Sequence, residues 1–187
     1  LTGWIYSSRG DYASAMSRFE TALQLPGLAT ESLARLKCLM QMARSLYQQG
    51  RLREALATLE ELLPTYERKS DLLGQAECKQ TIGLILWHLG DHERALQLLQ
   101  AAREIFETCH TLQGSLLCSI NIGLILLDRR LFEEAARVFA TTRESASLRE
   151  EIEIEAVGTV HLSACRLRQG RTGESLRLST KATRAFE

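Results

Sequence analysis

The chain has 187 residues, 45% of them hydrophobic and 25% charged, and its 23 basic side chains are balanced by 23 acidic ones. That balance excludes a global electrostatic pull toward nucleic acid or an anionic membrane, and no apolar run approaches the 18 or more residues of a membrane span. Two prolines and 12 glycines are too few for a turn-rich β architecture, so the expectation is a nearly all-helical protein.

Residues 1 to 9 read as the second half of a helix, with Gly3 and Tyr6 falling where later stretches have Gly83 and Leu86, or Gly123 and Leu126. The chain starts inside this pattern and lacks an initiating methionine, so it is expected to be a piece of a longer protein. Asp11 to about Gln24 forms the next helix, with Ala15, Met16, Phe19, Ala22 and Leu23 on one face and Pro26-Gly27 ending it. Thr30 opens a helix running to Gln49. From Leu52 the period continues through Ala55, Leu56, Leu59, Leu62 and Leu63, and Pro64 marks a kink or an early end. Ser70-Asp71 restarts the chain, and helices follow over Leu72 to Leu89 and Asp91 to about Thr108. Leu112 to Arg129, Phe132 to about Ser145, Arg149 to Gln169 and Thr172 to Phe186 complete the series. Glu150, Glu151 and Glu153 put negative charge on the positive end of their helix.

These elements repeat every 40 residues. Gly10, Gly50, Gly90 and Gly170, with Arg130 in the fourth copy, close one apolar segment as a polar residue opens the next, which is how one helix ends and another begins. Seven residues before each turn lie Gly3, Ala43, Gly83, Gly123 and Ser163, and five after it Ala15, Ala55, Ala95, Ala135 and Ser175. Phe19, Leu59, Leu99 and Phe139 supply bulk between these small columns. Small against large at helical spacing is a packing rule, and a fixed period of this size means stacked supersecondary units. Cys38, Cys78 and Cys118 keep the same spacing. One structural role covers all three, a small apolar side chain between helices, and copies roughly 10 Å apart are too distant for a disulfide or a shared metal. A reducing, cytoplasmic setting follows as an expectation.

The small, bulky and turn-glycine pattern resembles tetratricopeptide repeats. Fit is best at Ile82-Gly83, Leu86, Gly90-Asp91, Ala95, Leu99 and Ala102, and in the partial first copy at Gly3, Tyr6, Gly10, Ala15, Phe19 and Ala22. The resemblance implies an all-α superhelix of antiparallel helix pairs, about four and a half repeats in a single unit, at about 1–28, 29–69, 70–109, 110–147 and 148–187. The 40-residue period exceeds the usual 34, as in the long repeats of bacterial transcriptional activators, peptide-sensing regulators and kinesin light chains. Ser163, Arg166, Ser175 and Ser179 depart from the packing pattern, which makes the last unit a cap or a surface for a further segment.

No G-x-S-x-G elbow, phosphate loop or H-E-x-x-H signals catalysis, and no cofactor or metal is implied. His88 and His92 are four apart, but Gly90 is expected to break the helix between them. The basic cluster Arg166, Arg168, Arg171, Arg177, Lys181 and Arg184 lacks aromatic partners for base stacking and reads as a solvated face. By the resemblance, the first helix of each pair lines a concave groove for a peptide or protein. Its candidate contacts are Arg44, Tyr47 and Gln48; Gln80, Leu84, Trp87 and His88; Asn121, Leu124 and Asp128; and His161 and Arg168. Asn121-Ile122-Gly123 resembles the asparagine that holds the peptide backbone in such repeats, while Gln41, Thr81 and His161 in the same column leave an ordinary surface residue as the other reading. Tyr47 and Trp87 form either an aromatic ledge or an inter-helix contact.

The reading adopted is a non-catalytic protein- or peptide-binding module, a regulatory or scaffold part of a larger protein. Other domains of that protein are possible partners in the groove, with no membrane contact and no direct contact with nucleic acid. Two rivals stand beside it: the effector-sensing arm of a bacterial transcriptional regulator, and an RNA-binding helical repeat.

Overall fold

In the computed structural model the described residues are 12–24 and 32–185. They fold into nine helices: α1 Tyr12–Leu23, α2 Leu33–Gln48, α3 Leu52–Arg68, α4 Leu72–His88, α5 His92–Thr108, α6 Leu112–Asp128, α7 Phe132–Ser147, α8 Ile152–Arg168 and α9 Thr172–Ala185. The expected half-helix over 1 to 9, the stop at Pro26-Gly27 and the start at Thr30 lie outside the described residues. The chain divides into two compact units, residues 1–91 and residues 92–187. In the first, α1 to α4 pack neighbour on neighbour and α2 also meets α4; in the second, α5 to α9 do the same and α6 also meets α8.

The turns set the geometry. Residues 50, 70, 90, 110, 130, 150 and 170 all have positive φ, so the backbone reverses every 20 residues. At each, the same two bonds close the preceding helix: Gly90 N–H donates to Trp87 O at 3.0 Å and Asp91 N–H to Leu86 O at 2.9 Å, with the matching pairs at the other six turns. This Schellman arrangement needs a left-handed residue after the helix, which glycine adopts without steric cost. Gly50, Gly90 and Gly170 have open space around them, so conformation alone explains glycine there. Ser70, His110, Arg130 and Glu150 take the same backbone with a side chain attached. Glu150 and Glu151 therefore belong to the turn, and α8 starts at Ile152 with only Glu153 and Glu155 in its first turn. Asp71 caps α4 by accepting from Gly74 N–H at 2.9 Å.

Helix α3 runs through Pro64 to Arg68, so the early end expected at the proline does not occur. Pro64 and Glu60 lie on the exposed face, so the carbonyl left without an amide donor is free to meet solvent. Tyr66, beyond the proline, is buried in the core.

Within each unit the small columns act as read. Ala15, Ala43, Ala55, Ala95 and Ala135 are fully buried. A Cβ on Gly123 would sit 2.6 Å from the Phe139 ring. A second set of small residues, which the spacing did not reveal, joins each pair to the next: Gly74 faces Tyr66, and a Cβ on Gly114 would lie 2.6 Å from Phe106. One repeat later the sizes are exchanged, with Ala146 in the place of the ring and Ile154 in the place of the glycine, both buried. Ser163 and Ser175 of the last pair are not lost packing positions either: Ser163 Oγ lies 2.8 Å from Ser175 O and 3.0 Å from Ser175 Oγ, a buried polar clasp between α8 and α9, while Ser179 is exposed.

All five cysteines are free thiols. Cys78, Cys118 and Cys165 are fully buried, and burial pushes the first two up to about 12 and the third up to about 11, so they pack as small protonated side chains. Cys38 is half-buried.

Candidate functional site

In the first unit, α2 and α4 lie close enough to build a surface together. Lys37, Gln41, Arg44 and Gln48 follow helical spacing along α2 beside its buried stripe of Leu36, Met40 and Ala43. Across from them α4 offers Glu77, Gln80 and Leu84. Arg44 Nη2 is 3.5 Å from Glu77 Oε2, a loose and partly exposed pair that screening makes weak. A cavity of about 770 Å³ opens here, with Leu33 and Leu73 at its apolar edges and Lys37, Gln41, Arg44 and Glu77 among its polar lining. That volume is in the range of sites that hold a small molecule or a short peptide segment.

The C-terminal ends of the same two helices carry rings. His88 meets Tyr47 edge-on at 5.5 Å and Trp87 at a tilt at 5.1 Å, so it sits between the two aromatics expected to form a ledge. Its Nδ1 is 2.8 Å from Leu84 O; a carbonyl only accepts, so Nδ1 carries the proton in this contact. Partial burial raises the Tyr47 hydroxyl above its ordinary pKa, keeping it a neutral donor. Helix α4 ends at His88 and Gly90 has φ +87°, so the helical i, i+4 spacing of His88 and His92 does not survive the turn. Gln48 is exposed and Gln80 half-buried, while Thr81, in the Asn121 column, is buried and donates to Glu77 O at 2.9 Å.

In the second unit α6 and α8 carry the corresponding residues. Asn121 is half-buried and its amide makes no hydrogen bond among the described residues, so no local helix contact accounts for it. Leu124 is half-buried and Asp128 exposed on the same helix. On α8 the His161 ring stacks on Phe139, centroids 5.1 Å apart at 24°, and burial lowers its pKa. Arg168 is exposed at the end of α8. Leu117, Val160 and Leu167 are exposed apolar side chains on these two helices.

The basic cluster is partly neutralised: Arg166 and Arg171 both pair with Glu174, and Lys181 pairs with Glu155 at 2.9 Å. Among the described residues no three His, Cys, Asp or Glu side chains could hold a metal ion. The sequence reading missed Glu77, although the 40-residue period places it in register with Lys37, Leu117 and Val157. It also missed Leu33 and Leu73, which lie in the first turns of α2 and α4.

Residues 35–108 match the tetratricopeptide-repeat family model. That stretch consists of tetratricopeptide repeats, and the described residues together have an all-α helical-repeat fold. No curated protein matches the sequence. Among solved structures, a Podosopora anserina protein assigned to the kinesin light chains, with nearly identical TPR-like repeats, is 17% identical with a TM-score of 0.78 over 98% of this chain and 91% of that one. Aspartyl phosphate phosphatase F from Bacillus subtilis is 14% identical with a TM-score of 0.87, over 98% of this chain and 48% of that one. A Rap protein complexed with Competence and Sporulation Factor is 15% identical with a TM-score of 0.84, over 98% and 51%. The chain thus spans about half the length of these last two, and at such identities the likeness is one of fold. Among the described residues no helix is long and apolar enough to cross a membrane.

Proposed function

We propose that the chain is a non-catalytic protein- or peptide-binding module that uses the open faces of its A helices, α2 with α4 and α6 with α8, and serves as a regulatory or scaffold part of a larger cytoplasmic protein. The observation that carries this is the cavity of about 770 Å³ between α2 and α4, whose apolar edges and mixed charges suit an extended segment with one anchoring apolar side chain. Free polar groups such as the Asn121 amide would bind a peptide backbone by donating and accepting at once. The Rap complex adds an associational argument, since that fold-mate is held with a named factor. The effector-sensing arm of a transcriptional regulator is the more specific form of this proposal, and an attached DNA-binding domain in the full-length gene would select it. RNA binding is disfavoured by the ion pairs that occupy Arg166, Arg171 and Lys181.

The test takes a peptide selected from a random-sequence display library on the wild-type chain. Tyr47→Ala and Trp87→Ala should each weaken its binding about tenfold, which is about 1.4 kcal/mol, while helical content and Tm stay nearly unchanged. Loss of Tm in proportion to loss of binding would assign these side chains to packing instead.

A further inference from the structure

Lysine–glutamate bridges join neighbouring helices at two places, one between successive helix pairs and one within a pair. Lys79 on α4 reaches Glu67 on α3 at 3.4 Å, and Lys181 on α9 reaches Glu155 on α8 at 2.9 Å. At the junction of α5, α6 and α7 the same register positions hold Ser119 opposite Glu107, and Ser115 opposite Thr141. Both lysines are replaced by short hydroxyl side chains. A cavity of about 350 Å³ stands there, lined by these residues and by Thr142, Ser145, Arg103 and Arg149.

Its hydrogen-bonding character is specific. Ser115, Ser119, Thr141 and Thr142 each donate their proton to a main-chain carbonyl of their own helix, Thr142 to Val138 O at 2.8 Å, which leaves their oxygens as acceptors toward the cavity. The donors are few and concentrated. Arg103 Nε is buried without a hydrogen-bond partner, since Glu107 lies 3.7 Å away, beyond bonding range though within reach of an ion pair. Arg149 and Ser145 have no partner among the described residues. Two guanidinium groups against one carboxylate leave the lining with a net positive charge, and Leu112, Leu116 and Leu148 supply an apolar border.

We propose that this cavity binds a small hydroxylated phosphate ester, of the size of glycerol phosphate. Arg103, Arg149 and the Ser145 hydroxyl donate to the phosphate oxygens, and the hydroxyls of the organic part donate to Ser119 and Thr142. The site lies apart from the A-helix faces and stands independently of the reading above.

The experiment is an amide chemical-shift titration of the intact chain with glycerol 3-phosphate, with inorganic phosphate and glycerol as separate arms at constant ionic strength. Saturable shifts confined to α5, α6 and α7 are expected with the ester, weaker ones with phosphate and none with glycerol. Arg149→Met, at an exposed position, should raise the Kd at least about tenfold, and Ser119→Lys, which rebuilds the bridge of the neighbouring junction to Glu107, should abolish binding with the fold intact. Shifts that stay linear to about 20 mM ester, or a Kd left unchanged by both Arg149→Met and Ser119→Lys, would overturn the assignment. Saturation by phosphate alone with the same Kd as the ester would overturn the role given to the hydroxyl oxygens.

Discussion

Two kinds of glycine act in this chain, and they call for opposite substitutions. Gly50, Gly90 and Gly170 are required by their positive φ, with nothing nearby, whereas Gly74, Gly114 and Gly123 are required by an aromatic ring packed on the backbone. Arg130 occupies a left-handed turn where the other described turns within helix pairs use glycine. Arg130→Gly should therefore raise stability by about 1 kcal/mol in denaturant unfolding, since a left-handed non-glycine residue costs about 1–2 kcal/mol. Gly74→Ala should do the reverse by about 1–3 kcal/mol, because its Cβ must displace the buried Tyr66 ring. His161 gives the chain a pH dependence. Burial against Phe139 lowers its pKa below that of the unfolded chain, so between those two values the unfolded state holds the extra proton. Stability from this group is complete above about pH 6.5 and falls as pH drops through the folded pKa. Unfolding midpoints measured from pH 7.5 down to about 5 should show the loss, and His161→Phe should flatten it.

The 20-residue spacing of reversals explains why the elements were readable from sequence alone. Glycine marks only the turns within helix pairs, so the 40-residue period stands out, while the turns at Ser70, His110 and Glu150 make the same closing bonds without it. Pro64 did not end its helix, because the carbonyl that loses its amide donor lies on the exposed face. Pairwise complementarity was hidden, because it shows only when two columns are compared. Ala146 and Ile154 reverse the ring-on-glycine contact of Phe106 and Gly114, and Ser163 and Ser175 replace an apolar contact by a hydrogen-bonded one. Ala146→Phe alone should destabilise by overpacking, and adding Ile154→Gly should recover part of the loss. A double-mutant cycle with a coupling of about 1 kcal/mol or more would establish the exchange.

For the molecule as a whole, periodicity located the helices that carry candidate contacts but not the spaces between them. Arg44, Gln80 and Leu84 were identified from their places on α2 and α4, while Glu77, Leu33 and Leu73 emerged only once the cavity could be seen. Tyr47 and Trp87 were read as an aromatic ledge or an inter-helix contact, and His88, read only as a groove contact, proves to meet both rings. The hydroxyl-lined cavity near Arg103 left no motif at all, because its signal is two missing lysines. The most direct measurement for the central claim is the affinity of a display-selected peptide for the wild-type chain and for Lys37→Ala with Glu77→Ala, read by calorimetry beside the Tm of each. The account predicts an affinity at least about tenfold weaker with Tm unchanged. Equal affinity for both chains would contradict it.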